Sequence, residues 1–300
     1  MARDRPEVSN RLAVIAGGGL LPRFVAEAAR ARGENPYIFA LARESVQDWS
    51  DFDHRTVSVG DYAGIRRTIA EEGIGRVVLS GWVRRRPEWR DIRAPLRAIP
   101  LLPAVVRTLL RGGDDAVLRM VIRLLEADGV RVVGAHEIVP DLLGAEGPLG
   151  NRSADAQARA DIAAATAATL VLGRLDIGQG CVAVGGRVVA LEGAEGTDLM
   201  LERVAELRRL GRISTRRKGV LVKLCKPGQD MRADLPSIGL DTLRRAVAAG
   251  LAGIAVEVGR SLVLEREKLI AEADAAGLFI VGICPQRVMA DDGASAARDD

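Results

Sequence analysis

The sequence predicts an α/β protein of two domains, an N-terminal Rossmann-like parallel sheet and a C-terminal mixed α/β domain. Apolar β-branched runs alternate with amphipathic helical stretches in both halves, and a glycine-rich turn follows the first of these runs. A chain of 300 residues that is 48% hydrophobic and 28% charged can bury two cores. We predict a first domain over residues 1–142, a linker over residues 143–156 and a second domain over residues 157–300.

Strands and helices alternate along the first 80 residues. The run "RLAVIA" predicts a buried strand, and the helix after its glycine turn carries Phe24, Val25 and Ala28 on one face. Two further strands, "NPYIFALA" and "RVVLSGWV", enclose a helix over "DYAGIRRTIAEEG". This order is typical of a parallel, doubly wound sheet.

The rest of the first domain has a different composition. Residues 87–111 are rich in Pro, Leu and Arg, and the apolar side chains from Leu96 to Leu110 recur at helical spacing. We interpret this stripe as core in preference to a lipid-binding groove. A helix over "GDDAVLRMVIRLLEADG" and a strand over "VRVVGAHEIVP" follow.

The second half begins with an alanine-rich helix predicted over residues 154–173. A hairpin that turns at Gly185 and Gly186 comes next, because two glycines separate two β-branched runs. Helices then alternate with the strands "GVLVKLCK", "GIAVEVG" and "GLFIVGIC". Residues 1–10 and 291–300 lack periodicity, so we expect both ends to be frayed.

Composition argues against several classes of function. Aromatic residues make up 3% of the chain, too few for the stacking surfaces of single-strand binders, so we expect no nucleic-acid partner. Two histidines and three widely spaced cysteines supply neither a zinc site nor a Cys–His nucleophile. No apolar run approaches the roughly 18 residues of a membrane span, and no signal peptide opens the chain. We therefore predict a cytoplasmic protein with at most peripheral membrane contact.

The glycine turn is the first candidate ligand site. Gly17 and Gly19 fit the first two glycines of a dinucleotide fingerprint, while Pro22 occupies the place of the third. The second strand ends without the acidic residue that grips a ribose, which disfavours a nicotinamide cofactor. Two alternatives stay open, a tight turn without a ligand and an NADP-dependent reductase that uses Arg43.

Carboxylates also gather where the second strand of the hairpin ends. Glu192, Glu195 and Asp198 could hold a hard divalent cation, with Asp176 and Gln179 upstream at a similar strand edge. Helix capping by Thr197 and Asp198 and ordinary turn chemistry explain part of this pattern equally well.

The loop "KPGQDMRADLPSIG" places Asp230 and Asp234 after a strand that carries Lys223 and Lys226. Lysines can neutralise a diphosphate while an aspartate binds Mg²⁺ or takes a proton from water, which is the chemistry of phosphoryl transfer. A turn or cap role for Asp234 is the alternative.

Eight motifs, in order from about residue 11 to residue 284, resemble the LpxI-type UDP-2,3-diacylglucosamine pyrophosphatases. The motifs are "IAGGGLLP", "GDDAVLR", "GAHE", "GRLDIGQG", "EGTDLMLERVAELR", "GVLVKLCKPGQDMRADLPSIG", "AGLAGIAVEVG" and "DAAGLFIVG". The resemblance implies a cytosolic, Mg²⁺-dependent homodimer whose two α/β domains enclose the substrate. It also implies hydrolysis of UDP-2,3-diacylglucosamine to UMP and 2,3-diacylglucosamine 1-phosphate (lipid X) in lipid A biosynthesis, by water attack on the α-phosphorus.

Residue roles follow from the same resemblance. The catalytic aspartate of the family corresponds to Asp234, with Asp230 ranked below it, while Lys223 or Lys226 offsets charge on the leaving UMP. The predicted metal ligands are Asp234, Glu195 and Asp198. The predicted substrate contacts are Gly17, Gly18, Gly19, Leu20, Gly81, Trp82, His136, Gln179, Thr197 and Asp198.

Trp82 and His136 are the two predicted contacts for which the residue type itself is unexpected. Trp82 departs from the family pattern, in which a small polar residue is expected after the glycine. A lone histidine such as His136 is more often structural than catalytic. A nucleotide-sugar-binding protein without catalysis remains the main rival, because it would keep the glycine turn without needing Asp234.

Overall fold

The computed structural model describes residues 10–83 and 114–299, so the stripe predicted from Leu96 to Leu110 lies outside the described residues. The chain divides into two compact units. The first comprises Met1–Asp141 and Asp230–Asp234, and the second comprises Leu142–Gln229 and Leu235–Asp300. The fold is α/β in both units, as the sequence predicts.

The first unit contains a parallel sheet in the order β3-β2-β1-β4-β5. Its strands are β1 (Arg11–Ala16), β2 (Tyr37–Leu41), β3 (His54–Val57), β4 (Ile74–Ser80) and β5 (Arg131–Val133). Its described helices are α1 (Leu21–Ala31), α2 (Tyr62–Glu71), α3 (Asp114–Ala127) and the single turn α4 (Ala135–Ile138). Strand β3 was not predicted, because three of its four residues are exposed and give no apolar signal.

Both faces of this sheet are covered by helices. On one face, α1 packs Val25, Ala26 and Ala29 against buried side chains of β1 and β2. On the other face, Ile122 and Leu125 of α3 belong to a core cluster with residues of β1, β2, β4 and α2. Helices on both faces are what an all-parallel sheet requires, since its strands are apolar on both sides.

The second unit contains a mixed sheet in the order β6-β13-β11-β9-β7-β8. Strands β9, β11 and β13 are parallel, and the other pairings in this sheet are antiparallel. The strands are β6 (Gly147–Pro148), β7 (Gly180–Val184), β8 (Arg187–Leu191), β9 (Gly219–Lys223), β11 (Leu251–Glu257) and β13 (Phe279–Ile283). Two short strands, β10 (Ser237–Ile238) and β12 (Leu262–Val263), pair separately.

The helices of the second unit are α5 (Ala156–Arg174), α6 (Gly196–Arg209), α7 (Leu240–Ala248), α8 (Arg266–Ala276) and α9 (Pro285–Asp299). The predicted hairpin is confirmed, since Val184 pairs with Arg187 and both turn glycines have positive φ angles, 64° and 78°. The prediction of a frayed C-terminus is wrong, because α9 extends through Asp299. Its first residue is a proline, which suits a helix start, and alanines favour its continuation.

None of the described helices combines the length and apolar character that a membrane crossing requires.

Candidate active site

The glycine turn lies between β1 and α1, at the carboxyl end of the first sheet. The amide of Gly17 donates to the carbonyl oxygen of Ser80 at 2.8 Å, and Gly18 exchanges backbone hydrogen bonds with Trp82 at 2.8 and 3.2 Å. The turn is therefore paired with the end of the neighbouring strand β4. Since β1 is followed by β2 on one side and borders β4 on the other, this is the topological switch point where ligands bind in such sheets.

Trp82 lies directly on this turn. A Cβ added to Gly18 would come within 2.5 Å of the indole ring, and one added to Gly19 would also clash with the ring. Gly19 in addition has a φ of +86°, which favours glycine. The indole is 50% exposed. The glycines thus make room for a tryptophan, and any ligand at the turn would share the space with an aromatic ring.

Two polar atoms at this edge have unused hydrogen-bonding capacity. Ser80 Oγ, at the end of β4, and His136 Nδ1, in the helix turn after β5, are buried without a hydrogen-bond partner among the described residues. The carboxyl ends of parallel strands meet at one edge of a sheet. Buried polar atoms are nearly always paired in folded proteins, so these two are candidate ligand contacts. Ser80 was not predicted, although its place in the sequence, between the end of an apolar strand and Gly81, could have indicated it.

In the second unit, Gln179 and Thr197 lie beside the buried carboxylate of Glu192, just after β8. The amide of Glu192 donates to the carbonyl oxygen of Gly180 at 2.9 Å. The hydroxyl of Thr197 donates to Glu192 Oε1 at 3.0 Å. Among the described residues, Glu192 Oε2 and Gln179 Oε1 are buried without a partner. Gln179 and Glu192 therefore each carry a buried acceptor without a partner, and Glu192 is the residue that the sequence grouped with Glu195 and Asp198 as a possible cation ligand.

The cap that the sequence suggested for α6 is not observed. The helix begins at Gly196, its N-cap residue Glu195 makes no side-chain cap bond, and the hydroxyl of Thr197 is used by Glu192 instead. Capping therefore does not account for Thr197. Gly196, at the start of the helix, has a φ of +78°, a left-handed conformation that favours glycine.

The predicted metal ligands are distributed over both units. Asp234 belongs to the first unit, whereas Glu195 and Asp198 belong to the second. Glu195 pairs with Arg203 at 2.7 Å, and Asp198 lies 3.6 Å from Arg245.

Across the described parts of the chain, no three His, Cys, Asp or Glu side chains form a ligand cluster. Mg²⁺ commonly takes one or two carboxylates and fills its remaining positions with water and substrate phosphate oxygens. The exposed Asp234 carboxylate fits that mode of binding, while a closed cage of protein ligands does not fit these residues.

The two predicted catalytic lysines lie at the start of the aspartate loop. Lys223 is buried in β9 and donates through Nζ to the carbonyl oxygen of Ser237 at 3.0 Å. Lys226 Nζ lies 2.6 Å from Asp176 Oδ1. Both ammonium groups are therefore paired with oxygen atoms of the second unit.

The two aspartates of the loop differ in their surroundings. Asp230 is half-buried, and the Arg232 guanidinium that bonds to its carboxylate holds its pKa below the ordinary value of 3.8. Asp234 is exposed. An aspartate held in a salt bridge is a poor base, which argues against Asp230 as the base of this loop.

Next to this segment the first unit has an open cavity of about 540 Å³. Three arginines line it, Arg119, Arg123 and Arg232, together with Glu126 and Asp230. Positive side chains outnumber carboxylates in this lining, so the hollow beside the aspartate loop is suited to an anionic group.

Comparison with known families covers nearly the whole chain. The model of the LpxI N-terminal domain matches residues 11–142, and the model of the LpxI C-terminal domain matches residues 145–281. A protein of Caulobacter vibrioides named "UDP-2,3-diacylglucosamine pyrophosphatase LpxI" is 41% identical over 278 residues, which covers 92% of this chain and 98% of that relative.

Proposed function

The chain belongs to the LpxI family, and on this premise we propose that it is a UDP-2,3-diacylglucosamine pyrophosphatase. The observation that carries the proposal is the 41% identity, across nearly the full length of both chains, to a relative with that name. The reaction is hydrolysis of the phosphoanhydride to UMP and 2,3-diacylglucosamine 1-phosphate, a step of lipid A biosynthesis. Water attacks the α-phosphorus.

Asp234 is the proposed catalytic residue, either as a ligand of Mg²⁺ or as the base that takes the proton of the attacking water. Its exposure leaves it accessible to substrate. In both roles the carboxylate must be ionised. Lys223 and Lys226 are proposed to offset the negative charge on the UMP leaving group, for which each would exchange its present oxygen partner for a phosphate oxygen.

The bound Mg²⁺ would neutralise the diphosphate and make its phosphorus more electrophilic. Glu195 and Asp198 are proposed as further ligands, and each would have to leave its arginine partner.

The glycine turn is the proposed contact for a phosphate or sugar oxygen. The amides of Gly17 and Gly18 are used by Ser80 and Trp82, so a ligand would meet the amides of Gly19 and Leu20 at the start of α1. Two buried atoms without a partner, Gln179 Oε1 in the second unit and His136 Nδ1 in the first, are proposed to accept hydrogen bonds from the ligand. The half-exposed indole of Trp82, next to Gly81, offers a flat face to the uracil ring.

A direct assay tests the proposal. The purified protein, incubated with UDP-2,3-diacylglucosamine and Mg²⁺, should release UMP, and Asp234→Asn should lower turnover by about 10² or more while binding of the substrate persists. Asp241→Asn is the matched control, since this carboxylate lies on the surface of α7 with 84% of its side chain exposed.

Three outcomes separate the alternatives. Wild-type protein that binds the substrate without releasing UMP would favour the nucleotide-sugar-binding rival. Equal turnover by Asp234→Asn and wild type would remove Asp234 from the catalytic role. Tight binding of NADPH would favour a reductase.

A further inference from the structure

The segment Asp230–Asp234 belongs to the first unit, although the chain before and after it belongs to the second. Ala233 is 8% exposed and lies in the same core cluster as Ile122 and Leu125 of α3. The loop that carries the proposed catalytic aspartate is therefore packed against α3 at the residue next to Asp234.

Arg232 holds this segment through two carboxylates. Its guanidinium donates to both oxygens of Asp230, at 3.0 and 2.7 Å, and its third nitrogen donates to Glu126 Oε1 of α3 at 2.6 Å. Asp230 also closes the local turn, because Oδ1 accepts the amide of Arg232 at 3.0 Å and its carbonyl oxygen accepts the amide of Ala233 at 2.9 Å. Because a planar guanidinium donates from several nitrogens at once, it fixes both the distance and the orientation of the carboxylates it binds, which a lysine ammonium cannot do.

The chain is also fixed on both sides of the segment. Gln229 is buried, and its Oε1 accepts the amide of Lys226 at 3.0 Å. Leu235 is buried as well. With both flanks held, the orientation of the five residues between them depends on contacts made in the middle, at Arg232 and Ala233.

We propose that Arg232, with Glu126 as its partner on α3, is the positioning residue for Asp234. This inference rests on the catalytic role proposed above for Asp234. An ion pair whose side chains are 35% and 40% exposed contributes little to global stability. It can nevertheless matter for turnover, because a displacement of about 1 Å at a reacting group can cost about 10² in rate.

Glu126→Gln and Arg232→Gln test the proposal through turnover, amide hydrogen exchange and thermal stability. We expect each substitution to lower kcat for UMP release about 10-fold with KM within about twofold, and the double variant to be no slower than the slower single one. Arg232→Lys should recover part of the loss, because an ammonium can serve one of the two carboxylates. Amide hydrogen exchange of residues 226–239 should become faster in both glutamine variants. The melting temperature should stay close to that of the wild type.

Glu206→Gln is the control, since it breaks an exposed 2.7 Å pair with Arg209 on α6 and should leave kcat and loop exchange unchanged. Unchanged kcat in Glu126→Gln and Arg232→Gln would overturn the positioning role, as would an equal loss in Glu206→Gln. Absence of UMP release by the wild type would overturn the proposed function instead. In that case, the amide exchange rates of residues 226–239 still test the role of Arg232 and Glu126 in holding the loop. Unchanged rates in Glu126→Gln would overturn that role too, and faster rates would support it.

Discussion

At the scale of single residues, the side chain of Trp82 determines how much space is left above the glycine turn. The three glycines match a nucleotide-binding pattern that is weak by itself, and the pattern gives no reason for a tryptophan nearby. In the structure the indole of Trp82 fills the space above Gly18 and Gly19. The missing side chains of these glycines thus leave room for the ring, so the glycine pattern can coexist with a bulky residue at position 82.

Removal of this ring gives a prediction for nucleotide affinity. If the indole stacks on uracil, Trp82→Ala should weaken UMP binding about 10-fold, in the range measured for base–aromatic stacking, whereas Trp82→Phe should retain most of it. Isothermal titration with UMP measures both. An alanine variant that binds UMP as tightly as the wild type would show that the ring only packs on the turn.

At the element scale, the β7–β8 hairpin depends on a buried carboxylate of α5. Asp161 is 1% exposed, and its Oδ1 accepts the amide of Gly186 at 2.5 Å. Burial raises the pKa of Asp161 above the ordinary 3.8, although the Gly186 amide opposes that rise. The helix and the hairpin turn are therefore joined by a group that is costly to ionise.

The sign of this pKa shift gives a pH dependence. A raised pKa in the folded state means that the contribution of Asp161 is fully present below pH 3.8 and is lost as pH rises through the folded-state value. Asp161→Asn cannot ionise, so its stability relative to wild type should increase between pH 4 and pH 7. Urea unfolding midpoints of both proteins across this range would check it, and a constant difference would contradict it.

The element scale also shows where local patterns fail. Strand β3 has one buried residue in four, and α9 has few apolar residues, so neither gives the periodic signal that identified the other elements. Strand β3 exists because β2 offers it a parallel edge, with Ile38 paired to His54 through Leu41 paired to Val57. A neighbouring strand supplies those hydrogen bonds, and the sequence of β3 alone does not.

At the scale of the whole molecule, the metal requirement is the prediction with the widest consequence. The described carboxylates form no three-ligand cluster, so a Mg²⁺ ion would depend on substrate oxygens for part of its coordination. We expect excess EDTA to abolish UMP release, added Mg²⁺ to restore it, and the melting temperature without substrate to change little in either condition. Full turnover in EDTA would contradict the metal, and a large loss of thermal stability would indicate a structural ion instead.

Local periodicity and motifs of consecutive residues were sufficient to predict the α/β class, most strands and helices, the glycine hairpin turn and the family. The folded chain was needed to show that Asp230–Asp234 packs with the first unit, that Arg232 contacts Glu126, 106 positions away, and that Trp82 covers the glycines. Such contacts join residues far apart in the chain. No local pattern encodes them, because they depend on which surfaces the folded backbone brings within reach.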